Sequence, residues 1–338
     1  MTRDAATAST RTGATAAPAH TSNPGERRPQ AMLWTGLVIV YVVWGSTYLA
    51  IRITVETMPP FLSAALRFLT AGLLLTGIVA WRSGAAALKI DRRRLATVVL
   101  VGLLLLVGGN GLVVLAETRI PSGLAALLVA SVPLWVIVLR TAFGDRPRAA
   151  TFAGVLFGFC GLAVLTLPGT SGGVRLTGIV LVLTASLLWS LGSFASSRLP
   201  MPANPFTASA YEMLAGGLVD LLLGLIRHEH LDVGAVSTSS WLALAYLVVF
   251  GSLVAFSAFA WLLQNAPLSL VATYAYVNPV VAVLLGWLIL SEAVTWSIAL
   301  GGAIVVAGVC LVVSTEARSK RAPVPKAPVP KDEGPTQG

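Results

Sequence analysis

Arg67 stands in "SAALRFLTAGLLL", residues 63–75, a run of small and apolar residues that otherwise reads as a membrane span. Glu212 occupies a nearly identical frame in "ASAYEMLAGGLV", residues 208–219: Pro-Phe, five residues, a charge, then a patch of small residues. A charge at the centre of a spanning helix costs about 2.5–3.5 kcal/mol and is tolerated where it faces a bundle interior or a water-filled cavity. Two such charges in matching frames therefore point to a polar pathway. A guanidinium there would hold an anionic group or repel a cationic one, unless Arg67 only snorkels to the interface. A carboxylate at Glu212 would bind and release a coupling proton, and Asp220, up to two turns further along, is a second candidate proton carrier.

Six aromatic residues within apolar runs join this set: Trp44, Tyr48, Trp189, Tyr211, Tyr274 and Tyr276. Their indole N–H and phenol groups need polar partners when buried, and with Asn110 and Asn278 they are the candidate lining of an amphipathic substrate pathway. Pro133 and Pro279 are candidate helix breaks, because a proline frees backbone carbonyls that must find partners in protein or cavity water. Trp34, Trp81, Trp241 and Trp296 fall at the ends of apolar runs and read as interfacial anchors. Gly45, Gly72, Gly109 and Gly217 read as close helix contacts.

The elements that must position these residues follow from composition. The 338 residues are 56% hydrophobic and 11% charged, with a mean hydropathy of +0.83, which identifies an all-α integral membrane protein. The net charge of +9 is confined to short gaps and tails, so it reports membrane orientation and not nucleic-acid binding. A spanning helix needs about 20 mostly apolar residues. That ruler predicts ten spans, at residues 33–54, 61–81, 95–116, 121–141, 151–168, 177–197, 206–226, 241–263, 268–290 and 296–314. No charge occurs from 233 to 291, but "QNAP" at 264–267 divides that stretch into two spans and a tight turn.

With both termini in the cytoplasm, 18 of the 23 Lys and Arg residues lie on that side. Arg52, Arg119, Arg175 and Arg227 lie on the other, and Arg67 is inside the membrane. That bias sets the direction and predicts a multi-pass plasma-membrane protein. Residues 1–32 have no apolar core and read as a disordered cytoplasmic tail; 315–338, with "APVPKAPVPK", read as an extended cytoplasmic tail.

The chain repeats itself. "LLWSLGSFA" at 187–195 lies under "VVWGSTYLA" at 42–50, pairing Trp44 with Trp189, and the same offset pairs Pro60-Phe61 with Pro205-Phe206 and Arg67 with Glu212. Small changes of offset pair Pro121 with Pro267, Pro133 with Pro279, Asp145 with Glu292, Gly154 with Gly301 and Gly161 with Gly308. Residues 33–168 and 177–314 are thus two five-span repeats, and an odd number inverts the second, an arrangement used by secondary transporters for alternating access. Inversion also places Arg67 about 9 Å deep from the outer side and Glu212 equally deep from the cytoplasmic side, so the two do not form an ion pair. Asp145 and Glu292 each fall at a junction before a new span, where a carboxylate is expected to cap backbone N–H groups.

"WGSTYLAIR", "PPFLSAALRFLTAG", "NGLVVLAETRIPSGLAALLVASVPLW" and "ATYAYVNPVVAVLLGWLILSE" resemble the EamA family of the drug/metabolite transporter superfamily, over about residues 33–314. The resemblance implies ten helices, cytoplasmic termini and export of small organic solutes such as amino acids, metabolites or amphipathic drugs. Where that family often carries Gly-Glu after the fourth and ninth spans, this chain has Gly144-Asp145 and Ser291-Glu292, keeping the acid in both places.

Two other functions compete. A membrane-embedded hydrolase needs a nucleophile with a base, or a metal. His20 is in the tail, and His228 and His230 are too close together for an i, i+4 zinc pair, so neither a metal site nor a cofactor is expected. Cys160 and Cys310 are isolated in apolar runs and read as packing residues. A non-transporting scaffold or receptor is the second alternative, against which the inverted duplication argues; no filter motif suggests a channel. The expected partners are a small-molecule substrate, the lipid bilayer and protons, with no nucleic acid, in a monomer or homodimer.

Overall fold

The computed structural model describes residues 24–144, 149–165, 175–266, 268–271 and 273–321. Asp145, Pro267 and both tail ends lie outside the described residues. Twelve helices follow in chain order: α1 Pro24–Thr54, α2 Pro60–Ser83, α3 Arg92–Glu117, α4 Ser122–Val129, α5 Val132–Ala142, α6 Ala149–Leu165, α7 Leu176–Arg198, α8 Pro205–Ile226, α9 Thr238–Asn265, the single turn α10 Leu268–Val271, α11 Tyr274–Leu290 and α12 Trp296–Arg321. No strand occurs among the described residues.

Among the described residues, seven stretches are long and apolar enough to cross a membrane: Ala31–Thr54, α2, α3, α4 with α5 (Ser122–Ala142), α7, α8 and α9. Ala149–Gly161, Val277–Leu290 and Trp296–Leu311 are apolar but shorter. Helix bounds differ from the sequence expectation at both ends. α1 begins at Pro24, inside the segment read as a tail, and α12 runs past Ser314 to Arg321. The sequence "TEARSKR" is made mostly of good helix formers, so the last helix continues beyond its apolar part.

Local sequence explains the starts. Prolines open α2 and α8, where a missing N–H costs nothing. Asn204 accepts from the Phe206 N–H at 2.9 Å, Ser237 from the Ser240 N–H at 3.2 Å and Asp91 from the Arg94 N–H at 2.9 Å. The bond from Arg94 holds the Asp91 carboxyl below the usual carboxylate range. Proline explains the interruptions less directly. Pro133 follows the break between α4 and α5 and lies in the first turn of α5. Pro279 corrects its expectation more sharply: it sits inside α11, and the interruption falls earlier, between Val271 and Tyr274.

Apolar side chains such as Leu73, Leu156, Leu222, Leu242 and Leu288 point outward along with Trp81 and Trp296, as a lipid-facing surface requires. Inside, helices from the two ends of the sequence pack against each other: α2 along α8, α6 along α12, α1 along α11, and α3 against α7 and α8. Small residues set these distances. A Cβ on Gly308 of α12 would stand 2.6 Å from the Gly158 backbone nitrogen of α6, and one on Gly217 of α8 would stand 2.9 Å from the Leu69 backbone nitrogen of α2.

Gly308→Ala should therefore lower stability by about 1–3 kcal/mol, because backbone, unlike a flexible side chain, cannot yield without parting the helices. Gly77, with nothing within 4 Å of its would-be Cβ, is the control. Thermal unfolding in detergent checks this: a lower midpoint for Gly308→Ala than for Gly77→Ala is expected, and equal midpoints refute it.

Candidate functional site

One face of α1 carries Trp44, Thr47, Tyr48 and Ile51, spaced at i, i+3, i+4 and i+7, and α3 presents Leu106, Gly109, Asn110 and Val113 in the same rhythm. Between these faces lies a buried cavity, completed by Arg67 and Phe68 of α2, Val129 of α4, Ala185, Ser186 and Trp189 of α7, Gly251 and Phe256 of α9, and Tyr274 and Asn278 of α11. The room it leaves for the centres of water-sized spheres is about 60 Å³, enough for a few waters.

The walls include two unusual helical segments. Leu103–Gly111 of α3 and Leu247–Phe256 of α9 are π-helical, at positions that correspond in the alignment of the two halves. Wider turns displace carbonyls from regular bonding, and such segments concentrate at functional sites. Here the Trp44 indole N–H donates to the Gly251 carbonyl at 3.2 Å. Trp44 packs edge-on against Trp189, centroids 5.4 Å apart, and against Tyr274 at 5.5 Å. The two tryptophans matched by the duplication thus meet in one aromatic cluster, backed by Phe259 at 4.8 Å from Trp44.

Arg67 is 4% exposed. Its Nε donates to Ser252 Oγ at 2.9 Å, its Nη1 to Asn110 Oδ1 at 3.3 Å, and its guanidinium carbon lies 4.8 Å from the Phe68 ring centre. Asp220 and Glu117 are within electrostatic reach of it. Arg67 also lines a smaller cavity with Thr54, Ser63, Val114 and Leu244. Asn278, with its amide oriented to suit its neighbours, donates to the Tyr41 carbonyl at 3.1 Å and the Tyr274 carbonyl at 3.2 Å.

Of the residues singled out from sequence, Trp44, Tyr48, Arg67, Asn110, Trp189, Tyr274 and Asn278 come together in this lining. Tyr211 does not: its hydroxyl donates to the Leu88 carbonyl at 2.9 Å and fastens the short turn Ala85–Leu88 to α8. Glu212 also lies outside the lining, buried where α8 meets α3 so closely that a Cβ on Gly102 would stand 2.7 Å from its carbonyl oxygen. Asp220 lines no cavity described here, and both its carboxylate oxygens are buried without a hydrogen-bond partner among the described residues. The Tyr276 side chain lies outside the described residues. Pro133 and Pro279 are absent from the lining, although Pro279 borders an apolar groove between α11 and α12.

Sequence reasoning missed Ser252, which holds Arg67, and Glu117, which lies one residue past the predicted end of the third span. It also misplaced the capping acid. Glu292 does cap backbone N–H groups, but those of α4 and not of its own following helix: it accepts from the Ser122 N–H at 2.9 Å, the Ser122 hydroxyl at 2.9 Å and the Gly123 N–H at 3.2 Å. Glu229 caps α2 in the same manner, accepting from the Phe61 and Leu62 N–H groups, each at 3.0 Å.

The EamA-like transporter family model matches residues 32–167 and again 176–314. An Escherichia coli K12 protein named "Uncharacterized inner membrane transporter YedA" is 41% identical over 255 residues, which is 75% of this chain and 81% of that protein. A chloroplastic WAT1-related protein of Arabidopsis thaliana is 26% identical, over 82% of this chain and 69% of its own length. A solved structure called "Crystal structure of protein" shares the fold with a TM-score of 0.61 and 24% identity, covering 84% of this chain and 97% of that one.

The Glu292 cap joins distant parts of the sequence through three hydrogen bonds to a charged group. Glu292→Ala should lower stability by about 2 kcal/mol, whereas Ser122→Ala, which leaves both backbone donors to the carboxylate, should cost less. Thermal unfolding of the two variants checks the order, and a Glu292→Ala midpoint equal to that of the unmodified chain refutes it.

Proposed function

The chain belongs to the EamA-like transporter family, and on that premise we propose that it is a secondary active transporter that exports small organic solutes across the plasma membrane by alternating access. The observation that carries this reading is the composition of the cavity wall. Trp44, Tyr48, Arg67 and Asn110 come from one matched segment, Trp189, Gly251, Tyr274 and Asn278 from the other, and the two sets meet ring to ring. A site shared by two similar bundles opens to one side or the other as the bundles rock.

The proposed architecture is ten spans in two inverted five-helix repeats, with α4 and α5 forming one span and α10 and α11 another. Both termini are cytoplasmic, following the Lys and Arg distribution. Aromatic walls with amide and guanidinium groups suit solutes that combine a ring or apolar body with a polar or charged group, which includes amino acids, metabolites and amphipathic drugs. Coupling to protons is part of the proposal, since acids buried near the cavity supply titratable groups.

Topology is tested with fusions: a reporter after Arg321 should be active only in the cytoplasm, and one inserted between His230 and Ser237 only outside. Both on one side would overturn the inverted repeat. Function is tested by uptake of cationic, zwitterionic and neutral aromatic compounds into inside-out vesicles, with and without a proton gradient. At least one class should accumulate, and folded protein that moves none of them favours a receptor or scaffold. Arg67→Met should shift the preference between cationic and zwitterionic compounds while Arg67→Lys keeps part of it. If Arg67→Met transports every class normally, the guanidinium has only a packing role.

A further inference from the structure

Glu117 closes α3, and its side chain is completely enclosed, at 0% exposure. Neither carboxylate oxygen has a hydrogen-bond partner among the described residues. Donors on adjoining residues point to backbone instead: Arg52 Nη1 donates to the Glu117 carbonyl, while Arg119 Nη1 and the Thr118 hydroxyl both donate to the Leu115 carbonyl, at 2.8 and 2.7 Å. The ionisable groups within electrostatic reach of the carboxyl are Tyr48 and Arg52 from α1, Arg67 from α2 and Glu292 from the α11–α12 connection.

Those neighbours divide between two compartments. Tyr48 and Arg67 line the central cavity. Arg52 and Glu292 line a separate, more open recess with Glu56, Thr118, Arg119 and Pro121, on the extracytoplasmic side in the proposed topology. Glu117 lines neither, so it sits in the partition between them. An enclosed carboxyl without donors is far cheaper to keep as the neutral acid than as an anion. Once the partition parts, water and either of two guanidiniums, Arg67 on the inner side or Arg52 on the outer, can stabilise the carboxylate. Asp220 and Glu212 have no such position between two compartments.

We propose that Glu117 is a proton-binding site in this partition, taking up a proton from water in the outer recess when the partition opens, staying protonated while sealed, and releasing the proton when the cavity faces the cytoplasm, in exchange for solute passing outward. This rests on the transporter reading above. The step is a simple acid–base exchange: the carboxylate takes a proton from hydronium in the outer recess, forming the carboxyl O–H bond, and that bond breaks when the proton passes to a water molecule on the cytoplasmic side.

The test needs no knowledge of the solute. Infrared difference spectra of the purified full chain in lipid nanodiscs, recorded between two pH values, report protonated carboxyl groups by their carbonyl band. The expected result is a band lost in Glu117→Gln and kept in Asp220→Asn and Glu212→Gln. A band that survives in Glu117→Gln, or that disappears in either other variant instead, overturns the proposal. Should Glu117→Gln fail to fold, Glu117→Asp keeps the carboxyl but shortens its reach, so a moved band supports the assignment and an unmoved one refutes it. In vesicles, Glu117→Gln should retain solute exchange but lose stimulation by a pH gradient, and retained stimulation refutes the role. A band assigned to Glu117 in a protein that moves no solute would defeat the transporter reading alone. Gradient-driven transport with a band independent of Glu117 would defeat this site alone.

Discussion

A guanidinium that stays charged must be solvated wherever the chain places it, and in a bilayer the protein has to supply that solvation. Arg67 is satisfied by Ser252 of α9, Asn110 of α3 and the face of Phe68, with the acids Asp220 of α8 and Glu117 of α3 within electrostatic reach. One side chain on α2 therefore binds a helix on each side of the chain's midpoint. The aromatic cluster around Trp44 and Trp189 builds on the same centre, since both tryptophans line the cavity into which Arg67 projects. Without the cavity the charge would have no water and no amide, and without the charge the cavity would be a purely aromatic slot.

Close approach of helices makes that centre possible. Where Gly158 meets Gly308 and Leu69 meets Gly217, backbones come within distances that leave no space for a Cβ. In lipid no hydrophobic force drives helices together, so such contacts, with dispersion and a few buried hydrogen bonds, carry the association. The exposed leucines on the outside contribute solubility in lipid and little to packing.

Much of this was legible in the sequence because the relevant signals are contrasts against an apolar background. A lone arginine, paired tryptophans, two asparagines and tyrosines within apolar runs stand out in such a background, and seven of the residues chosen on those grounds line one cavity. Tyr211 and Glu212 do not reach the cavity because the phenol is taken up by the Leu88 carbonyl and Glu212 lies where α8 meets α3, placements set by which neighbour a helix face meets and not by the residue's own sequence context. Glu117 escaped notice for the opposite reason: it follows the last apolar residue of a span, where an acid ordinarily meets water. The π-helical segments leave no trace, since adding a residue to a turn changes neither composition nor the spacing of apolar residues enough to read. Pro279 shows the limit of breaker logic, because the helix continues through it.

The acid that caps α4 has a further consequence in time. Glu292 lies 170 residues after Ser122, so during synthesis α4 enters the membrane long before its cap has been translated. Until the last hairpin arrives, the first N–H groups of α4 must rely on headgroups or water at the membrane surface. Insertion of α4 is in this sense provisional, and the connection between α11 and α12, made much later in synthesis, completes the contact.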